Sequence, residues 1–180
     1  VKAWGAERRD DFLWFDPEDL VIVGYDEPAA DDHPLCDEER VSRLKNNERQ
    51  VRSIMVYGVI QPIIVRRNGF RKDGTPLVEV VAGKNRVFSA REANRRLEAE
   101  GKDRVSVPAQ RTSFKEGHQL YGVMLTENKI RQDDGVMTTA RQIEKYLAMG
   151  RSEQEAEDLF GVSRQPRHTY LKVHGRPPDI

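Results

Sequence analysis

The chain has 180 residues, 37% of them hydrophobic and 33% charged, and its 30 basic and 30 acidic side chains balance to a formal charge of zero. That length suits one compact domain or two small ones. Zero net charge excludes a global field for nucleic acid, so such binding has to come from a local patch. One cysteine, Cys36, excludes an internal disulfide framework and a Cys-rich zinc site.

Residues 1–19 read as an amino-terminal extension, charged and aromatic by turns. Its Trp4, Trp14 and Phe15 suit edge-of-core packing or a docking segment for a partner protomer. Leu20 to Val23 is a short apolar run and predicts a strand. "DEPAADDHPLCDEER" predicts a loop. A helical pattern runs from Asp37 through Val41, Leu44, Val51, Ile54 and Met55 and stops at Gly58. "PIIVRR" and "LVEVVAG" predict two strands around a turn-rich loop with two Asx-Gly signals. Residues 86–100 predict an amphipathic helix with Val87, Ala90, Ala93 and Leu97 inward, its "REANRRLEAEGKDR" face solvated. "VSVPAQRT" predicts a third core strand, and 116–131 a helix with Leu120, Val123, Met124 and Ile130 inward. After "RQDDGV" everything reads as helix, so the chain is expected to divide near residue 134.

The strand-to-helix passage at "VVAGKNRVFSAREA" carries the first chemical signal. A helix N-terminus offers backbone N–H groups and a partial positive charge, and glycine lets an anion approach closely. Lys84 and Arg86 add cations there. Both a phosphate cradle and an ordinary turn with solvated cations satisfy this stretch alone. The glycines of a Walker A loop or a dinucleotide fingerprint are missing. The second signal is Glu127 beside Asn128 in "LTENKIRQDD". A carboxylate next to an amide oxygen suits Mg²⁺ shared with phosphate, and a Glu127–Arg131 pair on a solvated face suits it equally. Histidines 33, 118, 168 and 174 lack zinc-ligand spacing.

The order of these motifs resembles the ParB family, the CTP-binding DNA-clamp proteins of partition. The family's first motif matches Ser53, Ile54, Gly58, Gln61, Pro62, Val65 and Arg66. Gly83, Lys84, Asn85, Arg86, Val87 and Phe88 stand at the second, with Ala90 a little later, and the third matches Glu127, Asn128 and Arg131. The resemblance covers roughly residues 20–173, with wording most like ParB-like proteins of phages and mobile elements. It implies an α+β fold, a small mixed ParB/sulfiredoxin-like sheet with helices over 20–134, followed by an all-helical helix-turn-helix domain over 135–175.

The resemblance also implies roles. Gly58, Gln61, Pro62, Gly83, Lys84, Asn85, Arg86, Asn128 and Arg131 are expected to bind nucleotide, CTP or another NTP. Glu127 and Asn128 are expected to hold Mg²⁺, with Glu127 assisting a slow hydrolysis. Nucleotide would close two protomers around double-stranded DNA, a homodimer when loaded, in a cytoplasmic setting without a membrane span or leader. Two departures stand out. Lys84 and Asn85 replace a family Glu and Arg, and "DDHPLCDEER" replaces an Asn-Pro-Arg segment, with Arg40 as the candidate substitute. Sulfiredoxins place a cysteine directly after the motif glycine; Lys84 stands there, which argues against sulfinic-acid reduction.

"RSEQEAEDLFGVSRQPRHTYLKV" reads as a helix-turn-helix on its own residues. Ser152 with Glu155 forms a capping box, Ala156 and Leu159 point inward, and Gly161 makes the turn. Ser163, Arg164, Gln165, Arg167 and His168 open the second helix, where a recognition helix meets DNA. Lys145, Arg151, Lys172 and Arg176 are candidates for phosphate contacts. Two other function classes remain: a ParB/sulfiredoxin-fold ATPase or phosphotransferase acting in DNA modification or on a small metabolite, and a transcriptional regulator without nucleotide binding.

Overall fold

The computed structural model describes residues 12–30, 32–37, 41–129 and 136–160. These form two compact units that part between Ser113 and Phe114, with the short segment ending at Leu35 joining the second. The composition changes later, near residue 134, but the helix over Gly117–Lys129 shares its core with the helices that follow.

The first unit is a five-stranded mixed sheet in the order β1-β5-β3-β4-β2. Its strands are β1 (Phe12–Phe15), β2 (Leu20–Val21), β3 (Ile63–Phe70), β4 (Pro76–Ala82) and β5 (Val107–Arg111). β3 and β4 pair antiparallel with Val65 opposite Val80, β3 runs parallel to β5, and β4 parallel to β2. Alternation along the strands sends Ile63, Val65, Val80, Val107 and Ala109 into one core. Helices α1 (Glu48–Tyr57) and α2 (Lys84–Ala99) supply Val51, Ile54, Val87, Ala90 and Ala93 to it. β1 lay inside the expected extension. It pairs antiparallel with β5, Phe15 opposite Val107, and only Phe15 packs on the core.

The helical pattern expected from Asp37 is interrupted: Val41 and Ser42 are helical, with the Val41 amide donating to the Asp37 carbonyl at 2.9 Å, and α1 starts afresh at Glu48. Asn47 caps it, its Oδ1 accepting from the Gln50 amide at 3.3 Å, and an asparagine cap favours a new start there over one continuous helix. Of the two Asx-Gly signals only Asp73–Gly74 makes the hairpin turn, with the Asp73 carboxylate accepting from the Thr75 amide at 2.9 Å. Asn68–Gly69 lies inside β3, where the register shifts between Arg67 and Phe70.

The expected solvated face of α2 is partly buried. Asn94 is 1% exposed and pairs with the Val105 backbone in both directions, donating at 3.0 Å and accepting at 2.7 Å. Glu92 is buried between Arg95 and Arg96, and those two guanidinium groups hold its carboxyl below its ordinary range.

The second unit packs α3 (Gly117–Lys129), α4 (Val136–Ala148) and α5 (Glu153–Phe160) around Tyr121, Met124, Leu125, Ile143, Tyr146, Ala156 and Phe160. The capping box forms as expected: the Ser152 amide donates to Glu155 at 2.8 Å and the Glu155 amide donates to Ser152 Oγ at 3.2 Å. Among the described residues no helix is long and apolar enough to cross a membrane.

Glu48 in the first unit and Glu155 in the second are among the carboxylates held below their ordinary range. Arg96 and then Arg52 hold Glu48 down to about 2 from an ordinary 4.5, and Arg151 with Ser152 does the same to Glu155. A depressed folded pKa contributes stability above the unfolded value and loses it as pH falls through the folded one. Melting temperature is therefore expected to fall between about pH 4.5 and 2, less steeply in Glu48→Gln and Glu155→Gln. A drop of equal steepness in both variants would show that these pairs contribute nothing.

Candidate functional site

β4 ends at Ala82, and Gly83 turns the chain from extended to helical with φ 98° and ψ 22°. That left-handed conformation favours glycine, and packing requires it as well. A Cβ on Gly83 would stand 2.6 Å from Ile63 Cγ2. β3 thus runs directly beneath the start of α2.

The electrostatics of this helix end differ from those of α1 and α5. α1 opens with an asparagine cap and Glu48, and α5 with a serine cap, Glu153 and Glu155. α2 has no side-chain cap and no acidic residue in its first turn, and Lys84 and Arg86 stand there instead. Cations at the positive end of a helix dipole cost roughly 0.3–1 kcal/mol each in ordinary exposed settings. An arrangement that opposes the dipole twice is what an anion would stabilise.

Arg86 sits differently from the expectation of a phosphate contact. It is 6% exposed, and its guanidinium reaches under the turn before β3. Its Nη1 donates to the Gln61 carbonyl at 3.3 Å and to the Pro62 carbonyl. Gln61, Pro62, Gly83 and Arg86 are therefore brought together, as the motifs imply, but Arg86 holds the Gln61–Pro62 backbone in place. Gly58 ends α1 with φ 72°, its amide donating to the Ile54 carbonyl, three residues before Gln61. Lys84 is half-buried, and Gln61 and Asn85 are exposed. Arg66 pairs with the buried Glu79 at 2.6 Å, and Asn68 donates to the other Glu79 oxygen at 2.8 Å.

Glu127 stands on α3 in the second unit and is half-buried, with Asn128 next along the same helix. The side chain of Asn128 lies outside the described residues, as do Arg40, Arg131, Ser163, Arg164, Gln165, Arg167 and His168. Two of the expected phosphate contacts are engaged. Arg151 pairs with Glu155, and Lys145 Nζ donates to the His33 carbonyl at 3.0 Å and lies over the Tyr121 ring.

Sequence reasoning missed the second anchor of α2. Arg91 grips Asp26 through both guanidinium ends, at 2.7 and 2.8 Å, and donates to the Pro17 and Leu20 carbonyls. The Arg-rich "REANRR" run was its only signal. Arg91, Arg95 and Arg104 line a concavity of about 330 Å³, but each is bonded to a carboxylate, so none is placed to take an anion.

No family model matches the chain, and no curated protein matches it. Among solved structures it is similar to the C-terminally truncated chromosome-partitioning protein ParB from Caulobacter crescentus complexed to the centromeric parS site. The TM-score is 0.54 and the identity 18%, covering 92% of this chain and 73% of that one. The same Caulobacter crescentus protein complexed with CTP-gamma-S gives a TM-score of 0.42 and 21% identity, over 93% and 80%. The resemblance read from the ordered motifs is thus met by an independent likeness of shape, and the chain has a ParB-like mixed α+β fold.

Proposed function

We propose that the chain is a ParB-like, nucleotide-dependent DNA-binding protein, with CTP as the first candidate nucleotide. The observation that carries this is the start of α2, an uncapped helix end that opens on Gly83, Lys84, Asn85 and Arg86 against the helix dipole. It stands at the family's second motif within a ParB-like fold. In this reading the phosphates meet Gly83, Lys84 and the first-turn amides, and Arg86 shapes the pocket floor by fixing Gln61 and Pro62. Gly58 and Asn85 border it. Glu127, with Asn128, is the proposed Mg²⁺ ligand set. One carboxylate with an amide oxygen fits a hard cation that keeps its waters and shares phosphate oxygens. The metal would offset phosphate charge, and Glu127 would orient water for a slow hydrolysis. Arg131 and the segment from Ser163 to His168 are proposed for nucleotide and DNA contact respectively. The solved ParB with this fold is in complex with its DNA site, which supports duplex DNA as the partner. Loaded protein is proposed to be a homodimer.

The test is calorimetric titration of CTP, ATP, GTP and UTP with Mg²⁺, on this protein and on Lys84→Ala and Arg86→Ala. CTP is expected to bind selectively. Losing one charge-assisted phosphate contact at Lys84 is expected to weaken it about tenfold, that is about 1.4 kcal/mol. Arg86→Ala is expected to abolish it by releasing the Gln61–Pro62 turn. Selective ATP binding would move the assignment to the phosphotransferase class. Absence of all nucleotide binding, with duplex DNA still bound, would leave the plain regulator.

A further inference from the structure

We infer that the β3–β4 hairpin is a separate nucleic-acid contact in the first unit, one that grips the phosphate backbone of duplex DNA independently of base sequence. This rests on the reading of the chain as DNA-binding, but it uses none of the residues assigned there. The run from Arg66 to Lys72 carries four cations, Arg66, Arg67, Arg71 and Lys72, in a chain whose net charge is zero.

Their partners differ. Arg66 is neutralised by Glu79 at 2.6 Å. Arg71 donates to the Asp19 carbonyl at 2.9 Å, and its charge is offset in part by the Asp73 carboxylate. Arg67 and Lys72 are exposed, and among the described residues neither forms an ion pair with a carboxylate. Asp73 is the acidic group within the turn; it accepts from the Thr75 amide and hydroxyl at 2.9 and 2.6 Å, which keep it ionised, and it offsets part of the Arg71 charge.

The hairpin is also preorganised. Gly69, with φ 79°, interrupts the register between Arg67 and Phe70. The Arg67 guanidinium thereby stands 4.4 Å from the centre of the Phe70 ring, which is 62% exposed. A guanidinium stacked on an aromatic face is held flat and is weakly hydrated, which favours planar contact with phosphate. The turn is closed by the Arg71 amide donating to Thr75 at 2.7 Å and the Gly74 amide donating to Arg71 at 3.0 Å. A fixed cationic hairpin with an exposed aromatic base fits a dense polyanion, and duplex DNA is the polyanion the rest of the chain calls for.

The experiment is fluorescence anisotropy of two unrelated labelled duplexes across a salt series. It uses the whole chain, the R67A/K72A variant and the charge-conserving R67K/K72R variant. Each phosphate neutralised contributes roughly 0.9 to the slope of log K against log salt. R67A/K72A is expected to lose about 2 from that slope, equally on both duplexes and with unchanged melting temperature, while R67K/K72R keeps it. An unchanged slope in R67A/K72A, with wild-type binding intact, overturns the hairpin contact and leaves the DNA-binding reading standing. Loss on one duplex only, or equal loss in R67K/K72R, overturns it too. Absence of wild-type binding to either duplex overturns both.

Discussion

Gly83→Ala is expected to destabilise the first unit by about 2–5 kcal/mol. Two effects add. An L-residue in the left-handed region costs roughly 1–2 kcal/mol. The new Cβ would also lie 2.6 Å from Ile63 Cγ2, and Ile63 is a β-branched core residue, 1% exposed. Overpacking of that kind costs about 1–3 kcal/mol. Gly74→Ala is the control, since its φ of 84° is equally left-handed but nothing lies within 4 Å of a Cβ there. It is expected to cost only the backbone share, about 1–2 kcal/mol. Urea unfolding of both variants separates the two effects, and equal losses would show that the approach of β3 to α2 is not tight. Gly83→Ala is further expected to lose nucleotide binding at temperatures where it remains folded, because relief of the clash has to shift either the α2 start or Ile63, the residue directly after Pro62.

The parts of this architecture that were readable from sequence are those in which one local period decides the structure. "PIIVRR", "LVEVVAG" and "VSVPAQRT" became β3, β4 and β5, because their apolar residues face one core at strand spacing. Ser152 and Glu155 capped α5 because a capping box needs only its own four residues. The misses need information from elsewhere in the chain. β1 shows no alternation and exists through pairing with β5, remote in sequence. The composition change near residue 134 did not mark the first boundary. Tyr121, Met124 and Leu125 face Ile143, Tyr146 and Phe160, so α3 shares the second unit's core.

The candidate site was readable to the same degree. Its place at Gly83 followed from a strand meeting a helix through glycine, and its nearness to Gln61 and Pro62 followed from the ordered motifs. What no local pattern gives is the partner of an arginine. Arg86 was assigned to phosphate and Arg91 to a solvated face, but Arg86 Nη1 donates to the Gln61 and Pro62 carbonyls, while Arg91 pairs with Asp26 and donates to the Pro17 and Leu20 carbonyls. An arginine on a helix face has the same sequence signature whether its partner is a ligand, a carbonyl or water. The fold alone decides between them.

Arg91→Ala is expected to cost about 2–4 kcal/mol, and here the partner geometry sets the size. Burial on its own works against the Arg91 charge, but the Asp26 carboxylate outweighs it and holds the guanidinium above its ordinary pKa. The same Asp26 accepts from the Ile22 amide at 2.7 Å, so one carboxylate joins α2 to the chain that follows β2. Removing Arg91 leaves Asp26 without its cation and frees the Pro17 and Leu20 carbonyls. Breaking a fully buried pair from one side costs about 3–5 kcal/mol, and partial exposure of Asp26 brings the expectation below that. Asp26→Ala is expected to cost a similar amount, because it takes the paired carboxylate from the guanidinium and the acceptor from the Ile22 amide. Arg95→Ala removes an arginine that is 76% exposed and is expected to cost about 0–1 kcal/mol. A double-mutant cycle on Arg91 and Asp26 is expected to show coupling above about 1 kcal/mol. Additive losses would mean that the two side chains act separately, and that α2 is anchored by its apolar face alone.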